Sequence, residues 1–151
     1  MIFCLDLVYY LPTRRFSQRK PVIPAIGITN YDVCEKTYWL IGEIDGELPP
    51  EFVPKYRDIL SFIVKSVKGY HIYFNICSKN PLKVIHMGYR LGLDRGHLKL
   101  GRSRESRKLV LRLWGKYETD PFVRPVVVFD IPSVWHYQVL SLIRDLMVNV
   151  S

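Results

Sequence analysis

The chain has 151 residues and a mass of 17.8 kDa, with 48% apolar and 24% charged residues. This composition excludes wholesale disorder and collagen-like chains and suits a single domain spanning 1–151. Lysine and arginine number 22 against 14 acids, a net charge of +8 that favours a polyanionic partner such as nucleic acid or a nucleotide.

In chain order, residues 1–10 are β-rich and predict a strand, and the Pro-rich residues 11–37 read as a long connection. Residues 38–45 (Tyr-Trp-Leu-Ile-Gly-Glu-Ile-Asp) predict a buried strand that turns acidic at its end and is stopped by Gly46, Pro49 and Pro50. Phe52, Val53, Tyr56, Ile59, Leu60, Ile63 and Val64 recur at helical spacing and predict an amphipathic helix. After Gly69, residues 70–77 alternate as a strand. Asn80-Pro81 has the form of an N-cap and first helical residue, which predicts a helix to about residue 91. Two strands, 97–100 and 109–114, follow with residues 101–107 as a hairpin loop. Residues 126–129 predict a short buried strand. A last helix places Trp135, Val139, Leu142, Ile143, Leu146 and Met147 on one side. The expected class is α+β, a mostly antiparallel sheet with packed helices.

No stretch approaches ~18 uncharged apolar residues, so no membrane span is expected. The apolar N-terminus meets Asp6 at once and lacks a basic n-region, unlike a signal peptide. Cys4, Cys34 and Cys77 form an odd set with no C-x-x-C pair. That argues against a zinc ribbon and a disulfide framework, and predicts a reducing, cytoplasmic compartment.

The charge is concentrated. Residues 90–116 hold nine bases (Arg90, Arg95, Lys99, Arg102, Arg104, Arg107, Lys108, Arg112, Lys116) against Asp94 and Glu105. That is nearly the whole surplus in one segment, as a phosphate-contacting surface requires. A second knot, Arg14, Arg15, Arg19 and Lys20, reads as a loop or arm that either touches phosphates or is merely solvated.

Glu43 and Asp45 lie two apart at a strand end, so both carboxylates share one face. Carboxylates that close repel unless one is protonated or a cation lies between them, and hard divalent cations take such oxygens with substrate phosphates. Ser66-Val67-Lys68-Gly69-Tyr70-His71 sets a hydroxyl, an amine and an imidazole around a glycine turn that suits nucleotide phosphates. Asp94 offers a third acid, and Arg112 and Lys116 close a later strand.

Together these segments resemble the archaeo-eukaryotic primase superfamily over roughly residues 38–117. That family has a strand-end D-x-D or D-x-E pair, a Ser-x-x-Gly-[Phe/Tyr]-His turn, a later apolar-Asp, and a basic strand. Here Glu43 stands where aspartate is usual and Val67 where glycine is common, and the chain is short with no zinc-binding module. The resemblance implies an RRM-like primase–polymerase core flanked by residues 1–37 and 118–151. It implies a nucleotidyltransferase in which Glu43, Asp45 and Asp94 hold Mg²⁺ or Mn²⁺ and Ser66, Lys68, Gly69, His71, Arg112 and Lys116 hold a nucleoside triphosphate. Arg95, Lys99, Arg102, Arg104, Arg107 and Lys108 would follow a single-stranded DNA or RNA template, and a second subunit could complete the site. Tyr70, Tyr73 and Trp114 offer stacking faces for bases. The alternative is a non-catalytic basic nucleic-acid-binding domain on the same fold.

Other chemistries lack their motifs. No G-x-S-x-G elbow or Walker-type G-x-x-x-x-G-K-[Ser/Thr] occurs. His71-Ile72-Tyr73 supplies only one of the two histidines that a rolling-circle nuclease pairs about an apolar residue, and His86, His97 and His136 stand alone.

Overall fold

The structure, a computed structural model, describes residues 3–10, 22–117 and 123–150, with the backbone alone at 10, 22–24, 116–117 and 148–150. The fold is α+β, and every described strand pairing is antiparallel. One sheet has the order β1-β2-β7, with β1 at Leu7–Tyr10, β2 at Val22–Thr29 and β7 at Val110–Tyr117. The other has the order β3-β4-β6-β5-β8: β3 at Tyr31–Asp32, β4 at Thr37–Asp45, β5 at Leu60–Lys65, β6 at Gly69–Ser78 and β8 at Arg124–Val128. Among the described residues four α-helices complete it: α1 at Phe52–Tyr56, α2 at Pro81–Arg90, α3 at Arg95–Ser103 and α4 at Val134–Val150.

Asn30 ties the two sheets together. It is fully buried between β2 and β3; its side-chain amide donates to the Trp39 carbonyl at 2.9 Å and its amide oxygen accepts from the Leu109 N–H at 2.8 Å. A buried amide must be satisfied, and here doing so holds the start of β7 beside β4.

The strand at 38–45, the strand after Gly69 and the terminal helix lie where the sequence placed them. So does α2, whose Asn80 side chain accepts the Leu82 N–H at 3.0 Å, with Pro81 in the first turn. Five expectations are corrected. The apolar stripe from 52 to 64 is not one helix: α1 gives way to a 3-10 turn at Arg57–Ile59 and then to β5. Strand β5 lies between β6 and β8, and Leu60 through Val64 are all buried, so the run is buried on both faces and its apolar residues mimic a helical stripe.

The segment 97–107 is not a strand and hairpin. It is α3 and its exit, begun by Asp94, whose carboxylate accepts the His97 N–H at 2.9 Å. Residues 11–37 are not all connection, since β2 and β3 fall within them. Pro24 hid β2: it sits where the β2–β7 register slips between Ile23 and Ala25, a bulge that spares the missing N–H. Strand β8 is not buried. It is a sheet edge with Val126 and Val128 about two-fifths exposed.

Finally, Cys4 and Cys34 form a disulfide across 30 residues, so the cysteine count misled and the inference of a reducing compartment loses its basis. Parity says nothing about two sulfurs that tertiary structure brings together; Cys77 remains free. Among the described residues no helix is long and apolar enough to cross a membrane. The basic knot at Arg14, Arg15, Arg19 and Lys20 lies outside the described residues.

Candidate functional site: an acid cluster at the end of the larger sheet

Glu43 in β4 faces His71 in β6 in direct register, and Asp45 faces Gly69 at the strand end. The Asp94 N–H donates to the Glu43 carbonyl at 2.7 Å, which pins the link between α2 and α3 to the acidic end of β4. Packing locks the same joint. A Cβ on Gly42 would lie 2.4 Å from Leu93 Cδ1, so only glycine lets Leu93 seat on β4 and set down Asp94 beside Glu43.

Electrostatics report the convergence. The Glu43 carboxyl is pushed up to about 7, first by burial and then by the negative charges of Asp45 and Asp94, with Arg112 of β7 opposing. Besides its own strand, two segments distant in sequence, at Asp94 and Arg112, therefore act on one carboxyl. His71 is 6% exposed and held down to about 3 by burial and then by His97 and Arg112, so it is neutral. Its Nε2 lies 3.7 Å from Glu43 Oε1, a contact between a neutral ring and a half-ionised acid rather than an ion pair. The buried His71 Nδ1 and Tyr73 hydroxyl have no hydrogen-bond partner among the described residues.

His97, set aside by the sequence as an isolated residue, has a positioning role. Its Nε2 meets the Val110 carbonyl at 2.8 Å and anchors α3 to β7, while its backbone N–H caps onto Asp94. Burial, the largest influence, lowers its pKa and keeps it neutral. The spacing Asp94-x-x-His97 is an N-cap signal that could have revealed α3.

The turn at 66–69 joins two strands rather than a helix and a strand. The Ser66 N–H donates to the Gly69 carbonyl at 2.9 Å, and the Gly46 N–H donates to the Lys68 carbonyl at 2.7 Å. Gly69 is needed because a Cβ there would meet the Ile44 carbonyl at 2.0 Å; its close approach is to β4, its own neighbour in the sheet. Lys65 claims the turn's carbonyls of Ser66 and Gly69, and the Lys68 side chain is exposed. Of the proposed stacking aromatics, Tyr73 is a core residue, fully buried with its ring centroid 4.3 Å from that of Phe62. Tyr70 and Trp114 are half-buried.

The structure sorts the basic segment into two groups. Arg104 Nη1 donates to the Lys108 carbonyl at 2.8 Å, Arg107 donates to the Arg102 carbonyl, and Lys108 Nζ pairs with Asp6 at 2.7 Å. Arg95, Lys99 and Arg102 instead stand exposed along α3 and, with Tyr89 of α2, line an open depression. The Lys116 side chain lies outside the described residues.

The donor set at Glu43, Asp45 and Asp94 is all oxygen, the chemistry of Mg²⁺ or Mn²⁺. The elevated Glu43 pKa marks a carboxyl without sufficient counter-charge, which a cation would supply. The three acids do not present one oxygen each within 4.8 Å of one another; among the described residues only Cys4, Asp32 and Cys34 form such a group. That group does not fit a metal. Its sulfurs are bonded to each other, and the Asp32 oxygens already accept from the N–H groups of Cys34 and Glu35 and from the Trp39 indole. The wider acid set still suits Mg²⁺, which keeps waters and needs one or two carboxylates plus substrate phosphates. Comparison with protein-family models, curated proteins and solved structures finds no match to this chain.

Proposed function

We propose that the chain is a primase–polymerase-type nucleotidyltransferase on an RRM-like core, joining nucleotides on a single-stranded template with Mg²⁺ or Mn²⁺. The observation that carries this reading is the meeting of acids from two segments: Asp45 shares the β4 end with Glu43, and the Asp94 N–H bonds to the Glu43 carbonyl at 2.7 Å. Three acids beside one guanidinium at a sheet end can bind hard cations and a triphosphate together. Bound divalent cations would activate the attacking hydroxyl and neutralise the leaving pyrophosphate.

The chain's own residues divide the remaining work. Glu43, Asp45 and Asp94 hold the cations. Arg112 offsets charge on the phosphates. His71, neutral and buried, orients Glu43 from across the strand pair instead of donating charge to the triphosphate. Ser66 and Lys68, on the turn beside Asp45, would meet the outer phosphates.

The test is primer synthesis and extension on single-stranded DNA with Mg²⁺ or Mn²⁺, for the native chain and Asp45→Ala. The expected result is cation-dependent incorporation that the variant loses by at least a hundredfold while still binding DNA. The exposed cations of α3 favour a second reading, a non-catalytic nucleic-acid-binding domain. That reading is the outcome if incorporation is absent with both metals and Asp45→Ala binds DNA as well as the native chain or better.

A further inference from the structure

Arg95, Lys99 and Arg102 follow one another at i, i+4 and i+7, so they form a single row on the outer face of α3. The opposite face, His97, Leu98 and Gly101, is buried. The row rises about 10 Å along the helix. A stacked strand advances about 3.4 Å per phosphate, so the row spans about three phosphates. Tyr89 backs it: the guanidinium carbons of Arg95 and Arg102 lie 5.3 and 5.8 Å from its ring centroid. Those contacts hold two flexible cations in place before any ligand arrives. The row also has a direction, since α3 begins at Asp94, in the acid cluster.

We propose that the outer face of α3, with Tyr89 as its backing, is a rail for about three consecutive phosphates of a single nucleic-acid strand running away from the acid cluster. This deepens the nucleotidyl-transfer reading, and it rests on that reading only for what happens at the strand's end. A single strand is favoured because the row is one residue wide. Arg104, Arg107 and Lys108, which could have met a second backbone, are engaged with the chain's own carbonyls and Asp6. Contacts of this kind are electrostatic and blind to sequence.

The experiment measures binding of a fluorescein-labelled oligo(dT) by anisotropy across a salt series. It compares the native chain with Arg95→Gln/Lys99→Gln/Arg102→Gln. A control, Lys55→Gln/Lys79→Gln/Lys83→Gln, removes the same charge from exposed positions elsewhere. Three lost phosphate contacts lower the slope of log K against log salt by about 2, so affinity falls about twentyfold less between about 50 and 200 mM salt. The control keeps nearly the native slope. An equal drop in slope for both triple variants makes the effect one of net charge and overturns the rail, as does an unchanged slope in the α3 variant. Tighter binding to duplex than to single strand overturns it too. Nucleotide incorporation is read separately: a chain that shows the expected slopes but incorporates nothing keeps the rail and loses the nucleotidyl-transfer reading.

Discussion

Glu43 and His71 stand opposite each other across β4 and β6, with 3.7 Å between Oε1 and Nε2, and their burial drives them to opposite departures from ordinary titration. The acid is raised to about 7 and the base lowered to about 3. Both therefore resist charge, which suits the cluster to accept a cation's charge.

Cation binding should release the Glu43 proton. Below about pH 7 the apparent Mn²⁺ affinity is expected to fall about tenfold per pH unit, as for any ligand group that must deprotonate. Calorimetric titrations at several pH values check this. Glu43→Gln should abolish the pH dependence and weaken binding. Because the folded pKa exceeds the unfolded value of 4.5, the stabilising contribution is full below pH 4.5 and is lost as pH rises to about 7. The same variant should thus raise the Tm of the metal-free chain above pH 7.

Gly42 should be coupled to Leu93. Gly42→Ala drives a methyl into the Leu93 side chain and is expected to cost about 1–3 kcal/mol through overpacking. Leu93→Ala opens a cavity and costs about 2–5 kcal/mol. The double variant should be more stable than the sum of the two costs predicts, since each change makes room for the other. Denaturant titration of the four chains gives the coupling; additive costs would show that Leu93 does not seat on Gly42. Incorporation should fall in both single variants as Asp94 shifts.

Reduction should loosen the N-terminal segment. Opening Cys4–Cys34 is expected to cost about 2–4 kcal/mol. Thermal melts with and without reductant measure it, and Cys4→Ser/Cys34→Ser should melt at the reduced value whatever the redox state. Cys77→Ser should leave the response to reductant intact.

Acid should destabilise the fold through its buried histidines. His136 is fully buried, bonded from Nε2 to the Phe74 carbonyl and from Nδ1 to the Ser133 hydroxyl, and its pKa is lowered to about 4, chiefly by burial. For His136 and His71 the folded pKa lies below the unfolded 6.5. Their contribution is complete above pH 6.5 and is lost as pH falls to about 4 and about 3. Each makes unfolding free energy rise by about 1.4 kcal/mol per pH unit across its window. Glu43 acts with the opposite sign between 4.5 and about 7, so the slope should be steeper in Glu43→Gln. Denaturation at a series of pH values checks both.

Much of the candidate site was legible. Glu43 and Asp45 at period two, the glycine turn before His71, and the apolar-Asp at 93–94 all depend on local spacing, and the structure places them around one strand end. The part of Gly69 in the turn was not legible, because it makes room for the Ile44 carbonyl, a contact 25 residues away in sequence. His97 and Tyr89 were missed for a similar reason: their partners, Val110 and the arginines of α3, lie on other elements.

Local chemistry in the sequence determined which segments hold the acids, where α2 begins and where positive charge accumulates. These depend on residues within a few positions of one another. Tertiary structure alone decided that the run at 60–64 is a strand, because the partners of its two edges, β6 and β8, come from elsewhere in the chain. It decided that Cys4 meets Cys34, that Asp94 reaches Glu43 through the seat of Leu93 on Gly42, and that the cations of α3 form one outward row. Each of these outcomes depends on surfaces supplied by distant parts of the chain, and no short window of sequence contains them.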